Sequence, residues 1–558
     1  MARSALVLGL ADMVWTSVSG RPDHGSGGFG AGAPRFAAQR KTSIERCNPS
    51  LFQHERGKKG PHLRLWCGAS GAAAGHAKKA GQPPGRHANA TGRGNSGMLI
   101  FVALIAAVAG FLFGFDEGVI SGAEIFLRKD FDYGATLEGV MTSAVPLGAL
   151  FGAIVTGRLT ERFGRRRILM LAALLFVGGA LVSALTPGIW VLVLARLLLG
   201  LAIGIAAIVA PLYLSETAPT HRRGVMISAY QLLVTVGILS AYLVNLALAE
   251  WEAWRWMFAA GMVPAIVLLL GAWRLPESPR WLALKGRTEE ARAVLASLRR
   301  DVPAADLAAE AEQILATAQA DQGHSNAWGR LFAAAVRPAV VVAMGLFFLQ
   351  QLSGINAVIY YAPKIFDGTG FSGTTAQLLA TVGVGIVNVV MTLVAMWLID
   401  RAGRRRLLLI GFAGTALGLV LLAVSAMMVA QGVEVEGAWD SPEYLGFIGV
   451  VIYIAAFAIA LGPIPYVMMS EIYPMDVRGP GMAMASIANW GFNYIVVLLF
   501  PIALAGVGLD VTFFFFAAIC VLGFLFTLAL VPETKGISLE AIERHLYAGR
   551  PLRRIGDS

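Results

Sequence analysis

Residues 189–213 read IWVLVLARLLLGLAIGIAAIVAPLY, and Arg196 is the one charged side chain among them. A helix rises about 1.5 Å per residue, so this stretch is long enough to cross the roughly 30 Å of hydrocarbon in a bilayer. A single charge in the middle of such a run is expensive and marks a functional position unless a partner neutralises it.

The rest of the chain repeats the theme. The 558 residues are 56% hydrophobic and 14% charged, with a net charge of +10. Soluble domains are about 45–50% apolar and about 25% charged, so too few charges are present to build a watery surface. Cys47, Cys67 and Cys520 are too scattered for a disulfide scaffold or a zinc cluster. Twelve apolar runs are expected as spans, at 99–121, 136–157, 167–186, 189–213, 225–249, 255–273, 337–361, 376–399, 406–430, 445–469, 481–506 and 510–531. The expected organisation is a disordered Gly/Arg/Lys-rich extension over 1–97, a six-helix bundle over 98–275, a helical linker in water over 276–335, a second six-helix bundle over 336–532 and a tail over 533–558. The extension is either a cytosolic tail or lies upstream of a start at Met98, and deleting it tests whether it signals anything. Asn89-Ala90-Thr91 within it reads as an inert sequon. Short helices are expected at Thr288–Arg300 and Ala304–Ala318.

Basic residues set the expected orientation. Arg158, Arg162, Arg165, Arg166 and Arg167 follow span two, Arg222 and Arg223 follow span four, and Arg401, Arg404, Arg405 and Arg406 follow span eight. The connections on the other side hold the uncharged Thr186-Pro187-Gly188 turn and the acidic Glu434, Glu436, Asp440 and Glu443. Lys and Arg stay cytoplasmic during insertion, which places both termini inside. The same arginines account for part of the net charge, so it argues for membrane topology and against nucleic acid.

The two halves repeat each other. Ser215-Glu216-x-x-Pro219-x-x-x-Arg223-Gly224 after span four has a counterpart in Ser470-Glu471-x-x-Pro474-x-x-x-Arg478-Gly479 after span ten. Glu161-x-x-Gly164-Arg165-Arg166 is matched by Asp400-x-x-Gly403-Arg404-Arg405. Parallel duplication of six spans describes transporters that rock two bundles about a central site. Polar side chains inside the spans mark the route: Gln231 in span five, Gln350, Gln351 and Asn356 in span seven, Asn388 in span eight, and Asn489, Trp490 and Asn493 in span eleven. Amides both donate and accept, which suits a neutral polyol, and an indole face covers the C–H surface of a sugar ring. The competing role for each amide is to join helices by hydrogen bonds, the first reading for Asn245. On an ideal helix Asn356 does not share a face with Gln350 and Gln351, but Ser353-Gly354 loosens the span between them.

The chain resembles the sugar porter family of the major facilitator superfamily from about Leu99 to Tyr547. The resemblance rests on Gly114-Phe115-Asp116 with Gly118-Val119-Ile120-Ser121-Gly122; Arg158-Leu159-Thr160-Glu161-Arg162-Phe163-Gly164-Arg165-Arg166; Pro276-Glu277-Ser278-Pro279-Arg280-Trp281-Leu282; Gln350-Gln351-Leu352-Ser353-Gly354-Ile355-Asn356; Asp400-Arg401-Ala402-Gly403-Arg404-Arg405; and Pro532-Glu533-Thr534-Lys535-Gly536. It implies an all-α membrane protein of twelve helices in two bundles, and a substrate-binding set of Gln231, Gln350, Gln351, Asn356, Asn388, Tyr466, Asn489 and Trp490. Tyr466 stands where the family usually has Trp, and Phe115 where it has Tyr. The family's proton symporters carry Asp at the position of Asp116, its uniporters Asn, and Arg196 matches the arginine that partners it. The implied device is a proton switch, in which deprotonated Asp116 holds Arg196 and protonation frees the bundles to reorient; a static salt bridge is the competing reading. The resemblance also implies an ion-pair gate at the cytoplasmic ends, from Arg165, Glu216 and Arg223 in one half and Asp400, Arg404, Glu471 and Arg478 in the other.

The expected function is proton-coupled import of a hexose, pentose or inositol by alternating access, with a facilitative uniporter and a sugar sensor as alternatives. No nucleophile–base set, phosphate loop or metal spacing points to an enzyme or a bound cofactor; the resemblance implies the proton as coupling ion. The expected setting is the bilayer of a bacterial inner membrane, with the protein a monomer.

Overall fold

The structure is a computed structural model and describes residues 97–219, 223–299, 302–303, 307–314, 327–433 and 441–555. The extension before residue 97, Arg222, the side chain of Arg223, and Glu434, Glu436 and Asp440 lie outside the described residues. The described residues fold as helices joined by short connections, with no strand among them. That outcome follows from the solvent: in hydrocarbon no water serves the backbone, so each span satisfies its own N–H and C=O groups.

Among the described residues, twelve helices are long and apolar enough to cross a membrane. The first six are Gly97–Phe131, Ala135–Phe163, Arg165–Ala184, Ile189–Thr217, Gly224–Trp251 and Trp254–Arg274. The second six are Arg337–Tyr360, Thr374–Ala402, Arg404–Ala430, Pro442–Ile472, Arg478–Val507 and Leu509–Leu530. Trp190, Leu194, Trp256 and Val263 are more than half exposed on the outer surface, where water would be costly and lipid is not. The chain is a multi-pass membrane protein. Within the first half, spans two and four approach until their backbones touch: a Cβ at Gly200 would fall 2.1 Å from the Val145 carbonyl oxygen. Small residues at a helix contact replace the hydrophobic drive that lipid removes.

Several helices outrun their apolar cores. The first continues ten residues past the expected limit of 121, to Phe131, because its polar end is paired: Arg128 lies 3.7 Å from Glu124, one helical turn away. Between the halves, the expected helix at Thr288–Arg300 ends at Leu298, and the one expected at 304–318 is described as helix over 307–314. Two short helices not read from the sequence, Pro279–Leu284 and Ala327–Leu331, flank them. After span twelve a helix at Leu539–Tyr547 begins on Ser538, whose side chain accepts the Ala541 N–H, and buries Ile542 and Leu546.

Candidate functional site

Span seven is not continuous. It runs Arg337–Leu352 and restarts at Ile355–Tyr360, with Gly354 between them at φ +89°, a conformation glycine adopts without strain. The break carries Asn356 back onto Gln351. Asn356 Nδ2 donates to Gln351 Oε1 at 2.7 Å, and Gln351 Nε2 donates to Asn489 Oδ1 at 2.7 Å. Three amides from spans seven and eleven therefore form one buried chain. Each primary amide has two N–H donors and one oxygen with two lone pairs, so the chain leaves N–H groups on Gln351, Asn356 and Asn489 for a hydroxylated ligand.

Gln350 does a different job. Pro465 has no N–H, so the Leu461 carbonyl four residues earlier loses its helical donor, and the span is already widened into a π-helix at Phe457–Leu461. Gln350 Nε2 supplies the missing donor to Leu461 O at 2.6 Å and lies 3.3 Å from Gly462 O. Its Oε1 and the Oδ1 of Asn493 are buried without a partner. Tyr466 packs edge-on to Phe347, ring centroids 5.0 Å apart. Tyr466 is 41% exposed. Trp490 meets Phe113 of span one at 5.4 Å between centroids, an aromatic contact across the halves. Gln231 and Asn388 are half-buried and make no side-chain hydrogen bond with the described residues. They lie toward the arginine-rich end from the place where Gly385 packs on Leu239 and Tyr242.

Asp116 and Arg196 are both buried, at 3% and 0% exposure. Among the described residues no salt bridge joins them within 4.0 Å, so the pair that the expected switch forms in one of its two states is open here. Arg196 Nε donates to the Met141 carbonyl at 3.1 Å, while both terminal guanidinium nitrogens and Asp116 Oδ2 lack hydrogen-bond partners. Asp116 also borders a void, with room for about one water, lined by Phe115, Val119, Phe176, Leu199 and Phe258. Unpartnered polar groups of this kind inside one bundle are costly.

At the arginine-rich end the internal repeat is atomic. Glu277 accepts the backbone N–H groups of Arg165 at 2.8 Å and Arg166 at 3.2 Å, at the start of span three. Glu533 accepts those of Arg404 at 3.0 Å and Arg405 at 3.2 Å, at the start of span nine. Gly164 and Gly403 precede them at φ +93° and +90°, where a Cβ would strike the Glu277 or Glu533 carboxylate at 2.3 or 2.5 Å. Arg165 then grips Glu216 with two bonds of 2.8 and 2.7 Å, and Ser278 Oγ donates to the same carboxylate. In the other half Arg404 reaches Glu471 at 3.0 Å and Asp400 at 3.2 Å, with Thr534 Oγ1 donating to Glu471. Arg478 does not join this set: its guanidinium donates to the Tyr473 carbonyl, because that group falls within reach five residues back. Arg223 lies outside the described side chains. Among the described residues each ion cluster closes within its own half.

The sequence reading missed Glu277 and Glu533 as site residues, although both stand in repeated Pro-Glu-Ser/Thr strings that signal them. It also missed Glu117, a 4%-exposed carboxyl beside Tyr360, whose signal was a second acid next to Asp116 in an apolar run.

The family model described as "Sugar (and other) transporter" matches residues 102–546. The galactose-proton symporter of Escherichia coli strain K12 is 43% identical over 467 residues, which is 83% of this chain and 98% of that protein. The D-xylose transporter of Levilactobacillus brevis is 39% identical over 449 residues, covering 80% of this chain and 96% of that one. In three dimensions the chain superposes on the partially occluded inward-open xylose transporter XylE from E. coli with a TM-score of 0.68 and 29% identity, over 79% of this chain and 100% of that one. With its paired helix-capping glutamates, broken seventh span and buried amide chain, this protein belongs to the sugar transporter family of the major facilitator superfamily.

Proposed function

We propose that this protein is a proton-coupled symporter that imports a monosaccharide or related polyol by alternating access. The observation that carries the reading is the chain Asn356–Gln351–Asn489, a neutral array of donors and acceptors held between spans seven and eleven. It offers no formal charge, and therefore suits a ligand whose polar groups are hydroxyls. The neighbouring aromatic pair of Trp490 and Phe113 supplies an apolar face from each half. Gln231 and Asn388, with unused hydrogen-bonding capacity, complete the binding set as the halves move together.

Asp116 is the proton carrier and Arg196 its reporter. Protonated, the carboxyl is neutral and leaves Arg196 on the Met141 carbonyl, a reading that the bond from Arg196 Nε to that carbonyl supports. Deprotonated, it draws the free guanidinium nitrogens across the gap and changes how span one packs on spans two and four. One proton and one neutral sugar cross together, with no other cofactor. The arginine-rich end faces the cytoplasm, both termini lie inside, the membrane is a bacterial inner membrane and one chain carries the whole path. The names of the relatives support sugar as substrate and proton as driver.

The test uses proteoliposomes with labelled galactose, xylose, arabinose and inositol. An imposed inward proton gradient accelerates influx of one of these, and Asp116→Asn abolishes accumulation while sparing counterflow. Counterflow indifferent to every sugar overturns the substrate reading; accumulation retained by Asp116→Asn overturns the switch.

A further inference from the structure

At the end opposite the arginine-rich loops a buried carboxylate is shared between the two halves. Glu138 opens span two and is 0% exposed. It takes Arg128 from span one in its own half, and Lys364 from the connection after span seven in the other half, with Nζ 2.6 Å from Oε1. The same end holds a close backbone approach between the halves: a Cβ at Gly139 would fall 2.3 Å from the Leu498 carbonyl oxygen. Nearby, the Tyr242 hydroxyl donates to the Ile359 carbonyl at 3.0 Å, again across the halves.

We propose that Glu138 and Lys364 are the latch that holds these ends shut, and that Arg128 lets the latch open at low cost. Breaking a buried ion pair is destabilising chiefly because it strands a charge. Here the charge that loses its partner is Lys364, already 28% exposed and free to take water. The carboxylate keeps Arg128, which also lies 3.7 Å from Glu124, a second buried carboxyl beside Glu138, so Glu138 is not left without a cation. The asymmetry of partners gives a contact strong enough to favour the closed end and weak enough to cycle. Lys364 also lies 6.0 Å from the centre of the Tyr361 ring, which keeps it aimed at Glu138 when the ends meet.

The inference rests on the alternating-access reading, and its test separates the two. Hydrogen–deuterium exchange is followed in lipid nanodiscs for segments 135–142 and 359–368 at this end, and for 158–166 and 400–406 at the arginine-rich end. Lys364→Gln raises exchange at the first pair of segments by at least about fivefold and does not raise it at the second, whereas Lys364→Arg behaves as wild type. Unchanged exchange in Lys364→Gln, or a rise at both ends, overturns the latch. Failure of the wild-type protein to carry sugar in proteoliposomes, with the one-sided response intact, overturns the substrate reading and leaves the latch standing.

Discussion

The Glu277 carboxylate lies 2.8 Å from the backbone N–H of Arg165, a residue 112 positions earlier. That bond ties the end of span six to the start of span three, and its copy ties Glu533 to Arg404 in the second half. A carboxylate at a helix N-terminus meets both the unsatisfied N–H groups and the positive end of the helix dipole. In each half the same bond stops the arginine's helix from sliding, which is what lets Arg165 and Arg404 find Glu216 and Glu471.

Removing the cap therefore costs stability in either half. Glu277→Ala and Glu533→Ala each lose about 1–2 kcal/mol, the usual scale for a helix cap, while Glu277→Gln keeps an acceptor and loses less. Thermal unfolding in detergent measures this. An alanine variant as stable as wild type shows that solvent replaces the carboxylate without penalty.

The two arginine clusters differ in burial, and that sets a ranking. The side chains of Arg165 and Glu216 are 7% and 2% exposed, against 12% and 22% for Arg404 and Glu471. Breaking a buried pair by removing one partner costs about 3–5 kcal/mol, whereas exposed pairs contribute about 0–1 kcal/mol. Arg165→Ala accordingly destabilises more than Arg404→Ala, and the double-mutant cycle of Arg165→Ala with Glu216→Ala gives the larger coupling. Equal couplings in the two cycles count against burial as the deciding factor.

Gln350 and Gln351 adjoin in sequence and separate in a transport assay. Gln350→Leu leaves the Leu461 carbonyl without its donor, at a cost of about 1–3 kcal/mol, so it lowers thermal stability. Gln351→Ala and Asn489→Ala act on one hydrogen-bonded pair, so each raises KM for sugar and the double variant is little worse than either alone. Additive effects would show that the two amides bind independently.

The C-terminal helix is held by Tyr547, whose hydroxyl donates to both oxygens of Asp476 at 3.0 Å. Asp476 also pairs with Arg330 of the linker at 3.3 Å. Burial, then the bond to Asp476 and the repulsion of its charge, push the Tyr547 hydroxyl up to about 12. The folded value lies above the unfolded one, near 10, so this contact stabilises fully below pH 10 and is lost as pH rises toward 12. The tyrosinate absorbance difference between wild type and Tyr547→Phe is half complete near pH 12. A rise already half complete near pH 10 shows that the hydroxyl stands free.

The sequence by itself determined the twelve spans, the duplication and the residue types at the site, because each is written locally. Apolar length is local, the spacing of Ser215-Glu216 and Ser470-Glu471 recurs intact, and Ser353-Gly354 announced the break in span seven that Gly354 makes. Only the tertiary structure decided who meets whom. Gln350 turned to a proline-orphaned carbonyl while Gln351 turned to Asn489, since one residue along a helix rotates a side chain by about 100°. Arg478 took a backbone carbonyl instead of the expected glutamate. Asp116 and Arg196 stood apart, because a charge pair closes only when the packing of spans one, two and four brings the heads together. Pairing between residues more than a hundred positions apart depends on helix rotation and register, and no local pattern records either.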